Sequence, residues 1–336
     1  MKVTMALTSK WHFARVELAR SYIDQINSGL SSIAIFAERR KGKTEFLVED
    51  LAPAASKAGF RTVYINFWEQ KSDPVHCIAK GVERSLEQGS KQDNQGFAYE
   101  SLELLLKPKR EVLLMFDEIQ HLATDVKFEE LIATIRTFLD SNKNRVRAVF
   151  TGSSQSRLNS IFRHQKSAFY RGASLVDFPD MDEKFIHHLL SVFKSITTTM
   201  LNETRANVIF EQFNYSPFLM VDLLQTMMRE GMADFDVGLD YYVKTNNPHQ
   251  QWQQLWRELK PIDQLVLTQV IGQQRPLYHD ETYQLVGDLL GIDEVTRGMM
   301  QSSIKRLKDM DIVNCVARGA WEIESVEFQQ FLIDEL

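Results

Sequence analysis

The sequence contains few cysteines and no long apolar run. Among its 336 residues, Cys77 and Cys315 are the two cysteines, and neither belongs to a C-x-x-C or Cys/His cluster. A disulfide framework and a structural zinc site are therefore not predicted. No uninterrupted apolar segment approaches the roughly 18 to 20 residues that a membrane span requires. The opening residues Met1 to Leu7 have no apolar stretch long enough for a secretory signal. We therefore expect a cytoplasmic protein without a membrane partner.

The composition is that of a folded globular protein. Apolar residues make up 44% of the chain and charged residues 25%, which leaves no segment with the composition of a disordered region. At roughly 150 residues per domain, the length predicts two to three domains. The net charge of −6 is uneven, at +6 over residues 1–175, −6 over 176–259 and −6 over 260–336. This distribution indicates either two functional surfaces or no more than differently solvated faces.

The first half of the chain alternates short β-prone runs with amphipathic stretches. A strand, a polar loop and a helix are predicted within residues 31–47, and three further strands are predicted at Thr62–Phe67, Val112–Phe116 and Val146–Thr151. Helices are predicted between them at Pro74–Gln88, Tyr99–Leu106 and Phe128–Ser141. Strands that alternate with helices predict a parallel sheet in a three-layer α/β domain. This domain is assigned to residues 1–178.

Beyond Pro179 the periodicity is helical. Three helices, predicted at Glu183–Ile196, Asn202–Phe213 and Pro217–Glu230, form a small helical domain over residues 179–245. The polar segment from Thr245 to Gln251 is the predicted linker. Residues 246–336 then form a third domain, with helices at Pro261–Ile271, Asp280–Leu290 and Asp293–Met310, and a hairpin of Ile312–Val316 and Trp321–Ile323 around Ala317-Arg318-Gly319-Ala320. Three helices followed by a hairpin indicate a winged helix-turn-helix.

The strongest motif lies between the first predicted strand and helix. Residues 37–44 read Ala37-Glu38-Arg39-Arg40-Lys41-Gly42-Lys43-Thr44 and match seven of the eight positions of the phosphate-binding loop G-x-x-x-x-G-K-S/T. Lys43 would neutralise the β/γ phosphate oxygens, Thr44 would bind Mg²⁺, and the helix N-terminus would face the anion. Ala37 replaces the first glycine, which requires that its φ be negative. Residues 37–45, including Glu45, are the predicted nucleotide-binding set.

An acidic pair ends the third predicted strand. In Val112-Leu113-Leu114-Met115-Phe116-Asp117-Glu118, Asp117 has the position of a Walker B acid that would hold Mg²⁺. Glu118 could polarise the attacking water. Taken alone, the pair could equally be a helix N-cap. Its position about 70 residues after the phosphate loop favours nucleotide binding and hydrolysis.

Hydroxyls and arginines follow the fourth predicted strand. The segment Phe150-Thr151-Gly152-Ser153-Ser154 would place Ser153 near the γ-phosphate, although Ser and Thr there could instead cap a helix. Arg157, Arg163 and Arg171 are candidates for an arginine finger, acting within one chain or on a second copy. We select Arg171, in Phe169-Tyr170-Arg171-Gly172, as the catalytic candidate.

Over residues 10–240 these motifs resemble the archaeal-type ATPases, a branch of the AAA+/STAND group of P-loop NTPases close in architecture to origin-recognition ATPases. The resemblance is carried by Phe13-Ala14-Arg15, Arg39-Arg40-x-Gly42-Lys43-Thr44, Asp117-Glu118, Thr151-Gly152-Ser153 and Phe169-Tyr170-Arg171. It implies that the helical domain is a lid, that the base is adenine, and that Pro217 packs near it. In this chain Tyr215-Ser216-Pro217 carries Tyr215 where the family has glycine. The resemblance also agrees with a C-terminal winged helix.

The sequence thus predicts a Mg²⁺-dependent ATP hydrolase that acts as a switch and assembles on nucleic acid or with partner proteins, as a homo-oligomer. The alternative is an ATP-binding regulatory or scaffold module with little turnover and a protein partner. Because the basic excess lies in residues 1–175, any affinity for double-stranded DNA is expected there, independent of sequence. The predicted helix Asp293–Met310 has a net charge of only +1, so the winged helix could instead dock on protein.

Overall fold

The computed structural model describes residues 10–86, 98–107, 109–123, 126–153, 155–165, 167–246, 248–272, 277–310, 312–317, 320–323 and 325–335. Met1 to Leu7, Gln88, Ser154, Arg318 and Gly319, which entered the sequence predictions, lie outside these ranges. The described chain forms two compact units, residues 1–242 and 243–336. The predicted ATPase domain and nearly all of the predicted lid fall in the first unit, so the boundary between them at 178 and 179 stays a prediction.

The first unit is built on a parallel sheet of five strands. They are β1 (Ser32–Phe36), β2 (Arg61–Asn66), β3 (Val112–Asp117), β4 (Val146–Gly152) and β5 (Ser174–Val176), in the order β2-β3-β4-β1-β5. All four strand pairs are parallel, and Ile35 of β1 lies opposite Thr151 of β4 and Val176 of β5. The predicted α/β fold with a parallel sheet is confirmed. The three-residue β5 was not predicted because it is too short to show a pattern.

Both faces of the sheet are buried by helices. Alternate strand residues such as Ala34, Leu114 and Phe116 pack in one apolar cluster, whereas Ile35 and Met115 pack in another. The helices of this layer structure are α1 (Val16–Asn27), α2 (Lys43–Glu45), α3 (Ala52–Lys57), α4 (Pro74–Leu86), α5 (Ala98–Glu103), α6 (Glu129–Ser141) and α7 (Gln155–Phe162). Short 3₁₀ turns cover Leu104–Leu106, Ile119–Ala123 and Val126–Phe128. The result is the expected three-layer αβα arrangement.

The helix after β1 changes its winding along its length. Between α2 and α3, residues Phe46–Leu51 form a π-helical segment. Its buried side chains Phe46, Leu47 and Leu51 pack in the same apolar cluster as Ile35 and Met115. The helix after β4 instead contributes Leu158 and Ile161 to the apolar cluster on the other face of the sheet, which contains Ala34 and Phe116. The chain therefore leaves neighbouring strands β1 and β4 toward opposite faces, which opens a crevice at their carboxyl ends.

Four helices follow the sheet. They are α8 (Glu183–Thr197), α9 (Glu203–Gln212), α10 (Pro217–Arg229) and α11 (Phe235–Thr245). Asp182, Asn202 and Ser216 cap the first three, because each side chain accepts a hydrogen bond from a backbone N–H in the first turn. The three predicted helices are present within a few residues of their predicted ends. α11 was not predicted.

The second unit contains α12 (Pro248–Glu258), α13 (Pro261–Gly272), α14 (Asp280–Leu290), α15 (Arg297–Asp309), β6 (Val313–Ala317), β7 (Ala320–Ile323) and α16 (Val326–Glu335). β6 and β7 pair antiparallel, which gives the predicted order of three helices and a hairpin. Apolar side chains of all five helices share one core. The assignment as a winged helix remains a prediction.

The structure differs from two predictions about where helices lie near or in this unit, while the domain boundary at 245 and 246 stays a prediction. The predicted linker from Thr245 to Gln251 is largely helical, because α11 continues to Thr245 and α12 starts at Pro248, a residue suited to the first turn of a helix. The predicted helix Asp293–Met310 begins only at Arg297, since the Thr296 side chain accepts a hydrogen bond from the Met299 N–H. Asp293 and Glu294 therefore lie outside α15, which retains four basic residues and one acid.

Among the residues that the structure describes, no helix has the length and apolar character needed to cross a membrane.

Candidate functional site

A large cavity opens at the carboxyl ends of the strands in the first unit. Its volume is about 910 Å³, within the range typical of small-molecule sites. One end is polar and is formed by the loop after β1 together with the ends of β2 and β3. The other end is apolar and is formed by the chain before α1 and by α8 and α10. The lining residues at the polar end include Arg39, Arg40, Gly42, Lys43, Thr44, Asn66, Trp68 and Glu118.

The loop after β1 turns sharply into a helix. Arg40 and Gly42 have φ of 66° and 84°, in the left-handed region, whereas Ala37 is not among the described residues with positive φ. The alanine in place of the usual glycine is therefore accommodated, as the sequence required. Gly42 precedes α2, and its carbonyl accepts the Phe46 N–H at 3.0 Å. A loop that turns into a helix start beside a cavity is the arrangement that binds phosphate through backbone N–H groups.

Lys43 lies buried beneath the loop. Its Nζ donates hydrogen bonds to the carbonyls of Ala37, at 2.6 Å, and Glu38, at 2.8 Å. Burial lowers the pKa of Lys43, while Glu118 and Asp117 oppose that effect. The two nearby carboxylates thus favour the ammonium form. The lysine is positioned with its charge at the polar end of the cavity, where an anion would meet it.

Asp117 ends β3 and is fully buried. Three hydroxyls donate to its carboxylate: Thr44 to Oδ2 at 2.7 Å, Tyr64 to Oδ2 at 2.8 Å, and Thr151 to Oδ1. Burial, followed by the charge of Asp117, raises the pKa of Tyr64, so the phenol stays a donor. Asp117 is thereby held in one orientation beside Thr44.

The pair Thr44 and Asp117 fits a magnesium site. Both offer oxygen atoms, the donors that Mg²⁺ prefers, and they lie within 2.7 Å of each other. The described residues contain no group of three or more His, Cys, Asp or Glu able to hold a metal. In nucleotide sites Mg²⁺ is usually bound by one or two carboxylates together with substrate phosphates.

Glu118 directly follows and faces the cavity. Its φ of 58° is left-handed, which is uncommon for a residue with a side chain. Ser153 Oγ donates to Glu118 Oε2 at 2.9 Å, and Gln120 Nε2 donates to the same oxygen and to Ser153 Oγ. Ser153, predicted from the sequence, therefore contacts Glu118.

The apolar end of the cavity includes Trp11 and Phe13 from the chain before α1, and Phe185, Pro217 and Val221 from the helices beyond the sheet. Phe13 packs edge-to-face on Phe185, with ring centroids 5.9 Å apart. Pro217 lies near the loop as well, since a Cβ placed on Gly42 would be 4.0 Å from its Cγ. Such an apolar slot suits a flat aromatic base.

His12 ties this N-terminal chain to the loop helix. Its Nδ1 lies 3.0 Å from Glu45 Oε1, and its Nε2 lies 3.0 Å from Asp50 Oδ1. Hydrogen bonds to Asp50 and Glu45 raise the pKa of His12 to about 10, so the ring is a cation that donates from both nitrogens. The π-helical segment explains the geometry, because π-helical bonding joins residues five apart and brings positions 45 and 50 to one side.

Other loop residues contact the helices beyond the sheet. Lys41 Nζ donates to Asp180 Oδ1 at 2.8 Å and to the Asn214 carbonyl, and Asn214 Nδ2 donates to Glu38 Oε2 at 2.9 Å. Ser216 Oγ donates to the Arg40 carbonyl at 3.1 Å. The side chains of Glu38 and Lys41 are therefore bonded to Asp180 and Asn214, beyond the sheet, and do not line the large cavity. The predicted nucleotide-binding residues 37–45 therefore form two groups. Some line the cavity, and others contact the chain beyond the sheet and hold the loop in place.

The candidate arginines lie elsewhere. Arg171 borders a small cavity of about 80 Å³ with Ser31 and Ser32, at the edge where β1 begins, opposite the large cavity. Arg163 lines a separate cavity of about 570 Å³ behind the loop. The Arg157 side chain is not described. Neither Arg163 nor Arg171 lines the large cavity with Lys43 and Glu118, so a finger role for either stays a prediction.

The basic residues of α15 also separate into two groups. Arg306 donates from Nε to Oδ2 of the buried Asp263 at 3.1 Å, and Ser303 Oγ donates to Asp263 Oδ1 at 2.6 Å. These contacts join α13 and α15 within the second unit. Arg297 and Lys305 are exposed instead.

Sequence reasoning missed several residues of the site. Tyr64 looked like an ordinary strand residue, and its hydroxyl reaches Asp117 only because β2 and β3 are neighbours. Gln120 follows Glu118 too closely to be recognised without knowing the turn between them. Trp11 and His12 have a sequence signal, because they adjoin the Phe13-Ala14-Arg15 motif.

Neither a protein-family profile nor a curated protein sequence matches this chain. Solved structures do. A Walker-type ATPase of Pyrococcus abyssi is similar at a TM-score of 0.55 and 16% identity, with 96% of each chain covered. The ORC1 protein of Aeropyrum pernix, solved in complex with DNA, gives 0.55 and 16%, covering 96% of this chain and 93% of that one. The ORC2 protein of that organism, in its ADP form, gives 0.56 and 13%, with coverage of 95% and 93%.

The chain has the fold of the origin-recognition type of P-loop ATPase. The resemblance inferred from the motifs is thereby confirmed at the level of the fold. At these identities the similarity concerns architecture, and the chemistry must be argued from the cavity itself.

Proposed function

We propose that this protein is a Mg²⁺-dependent ATP hydrolase that acts as a molecular switch. The observation that carries the proposal is the hydrogen bond between Thr44 Oγ1 and Asp117 Oδ2, 2.7 Å long, beside the buried Lys43 at one end of the cavity. A hydroxyl, a carboxylate and an ammonium group in this arrangement serve the metal and the β/γ phosphates of a nucleoside triphosphate. Glu118 is then the group that activates water.

Adenine is the proposed base. Trp11, Phe13, Phe185 and Val221 give the far end of the cavity the apolar surfaces between which a purine stacks. ATP also agrees with the ADP form of the similar ORC2 protein. Pro217, at the start of α10, is the proposed contact between the lid and the nucleotide.

We propose double-stranded DNA or a partner protein as the ligand of the switch, and a homo-oligomer as its assembled state. The basic excess in residues 1–175 and the DNA complex of the similar ORC1 protein support DNA. Arg171, remote from the cavity of its own chain, would act on the nucleotide of a neighbouring copy. Residues 179–245 are the proposed lid and residues 246–336 the proposed winged-helix domain of this switch.

The test combines nucleotide binding with single-turnover hydrolysis, measured with and without duplex DNA. Lys43→Ala removes a charge-assisted contact, so its ATP affinity should fall about tenfold or more. The matched control is Lys57→Ala, an exposed lysine at the end of α3, which should bind ATP like the wild type. Unchanged ATP affinity in a folded Lys43→Ala protein would contradict the proposed site.

The same experiment separates the alternative function. An ATP-binding regulatory or scaffold module would bind ATP with the same dependence on Lys43 yet show little hydrolysis under any condition. Stimulation of turnover by DNA supports the switch on nucleic acid. Turnover that DNA leaves unchanged supports a protein partner.

A further inference from the structure

The two carboxylate oxygens of Glu118 have different surroundings. Gln120 Nε2 and Ser153 Oγ both donate to its Oε2, whereas its Oε1 has no hydrogen-bond partner among the residues that the structure describes. The carboxylate also lines the cavity. One oxygen is therefore fixed by protein donors, and the other is available to a water molecule in the cavity.

Three further features converge on this contact. Glu118 takes a left-handed backbone conformation, with φ of 58°, so that β3 turns into the 3₁₀ segment carrying Gln120. Gln120 is only 1% exposed, and its Oε1 is buried with no hydrogen-bond partner in the described part of the chain. Gly152 lies against that atom, since a Cβ built there would be 2.6 Å from it. Both the left-handed backbone and the unpaired buried oxygen have a free-energy cost, and such costs are concentrated at functional sites.

We infer that Gln120 and Ser153 are positioning residues for Glu118, which orient its carboxylate so that Oε1 accepts a proton from the attacking water. The inference rests on the proposed hydrolytic function. Two donors to one oxygen fix the rotation of the carboxylate. In the step they serve, the water oxygen forms the new bond to phosphorus, its proton passes to Oε1, and the bond to the leaving phosphate oxygen breaks.

The test uses Gln120→Met, which keeps the shape but removes the amide donor, and Ser153→Ala, which removes the hydroxyl. For each, kcat should fall about ten- to a hundredfold while ATP affinity stays within about twofold of the wild type. Gln212→Met and Ser195→Ala, both exposed and remote from Glu118, are the matched controls.

A second measurement does not depend on turnover. Crystal structures of the wild type, Gln120→Met and Ser153→Ala, each with a non-hydrolysable ATP analogue and Mg²⁺, should show one orientation of the Glu118 carboxylate in the wild type and more than one in each variant. If the wild type fails to hydrolyse ATP, the proposed function is wrong, and the carboxylate orientation still decides the inference. Faster hydrolysis in either variant, or an unchanged carboxylate orientation in both, would overturn the positioning role.

Discussion

At the residue scale, two neighbouring acids have different surroundings. Asp117 is fully buried and accepts hydroxyl hydrogen bonds at both oxygens, whereas Glu118 is half-buried and is bonded at one. A carboxylate fixed at both oxygens suits a constant position beside a metal. One that keeps an oxygen free suits proton transfer. Their division of roles follows from these donors rather than from residue type.

Glu118→Gln tests the second role. The amide keeps the size of the side chain but cannot take a proton from water, so ATP should still bind while hydrolysis falls about a hundredfold or more. Single-turnover assays after direct measurement of bound ATP give both quantities. Glu111→Gln, an exposed glutamate before β3, is the control. Equal hydrolysis by wild type and Glu118→Gln would place the base elsewhere.

Tyr64→Phe tests the first role. It removes one donor to Asp117 and leaves Thr44 and Thr151 in place. We expect the Mg²⁺ concentration for half-maximal ATP binding to rise about three- to tenfold, because the carboxylate is oriented less firmly. Binding of ATP without Mg²⁺ should be unchanged. Tyr99→Phe, whose ring packs on Phe138, controls for loss of a hydroxyl, and an identical Mg²⁺ requirement in Tyr64→Phe would rule out this contribution.

Single residues could be predicted where a motif fixes their chemistry and their place in the chain together. Lys43, Thr44, Asp117 and Glu118 follow strands whose ends meet at one edge of a parallel sheet, so their proximity follows from the fold. Tyr64 and Gln120 could not be predicted, because their roles depend on strand order and on a left-handed turn that no pattern records. Arg171 illustrates a further limit, since its sequence position gives no information on which edge of the sheet it occupies.

At the element scale, long periodic segments were predictable and short or capped ones were not. β1 to β4 are predictable as β-prone apolar runs, and α8 to α10 because each repeats its apolar residues over enough positions to set a helical period. β5 has three residues, and α15 starts late because Thr296 caps it, although Asp293 and Glu294 favour an earlier start. The π-helical segment Phe46–Leu51 has no sequence signature, yet it brings Glu45 and Asp50 to the side where both contact His12 of the N-terminal chain.

The attachment of that chain predicts a pH dependence of stability. His12 has a pKa raised from 6.5 to about 10 by Asp50 and Glu45, so its contribution to folding is fully present below pH 6.5 and is lost as the pH rises through 10. Thermal unfolding of wild type and His12→Ala should therefore differ most near pH 6 and converge above pH 10. His164→Ala, at an exposed histidine, is the control and should follow the wild type. A difference that grows with pH would contradict the ion pair.

At the scale of the whole molecule, charge is distributed unevenly along the chain. The basic excess lies in residues 1–175, while residues 260–336 carry −6. Within the second unit, however, the acids Asp293 and Glu294 lie outside α15, and Arg306 is bonded to Asp263. Arg297 and Lys305 are the exposed cations of that helix. They are therefore the residues whose removal reports on DNA contact without disturbing the core.

Salt titration of duplex DNA binding by the full chain, with ATP and Mg²⁺ present, gives the number of phosphates neutralised. Each contact contributes about 0.9 to the slope of log affinity against log salt. We expect the double variant Arg297→Ala, Lys305→Ala to keep the wild-type slope and most of the affinity, because residues 1–175 supply the binding surface. A slope lowered by about 1.8 would instead show that both cations meet phosphates and that α15 contacts DNA directly. If the wild type binds no duplex at low salt, the partner is a protein, and the acidic second unit is then the surface with which a basic partner should be tested first.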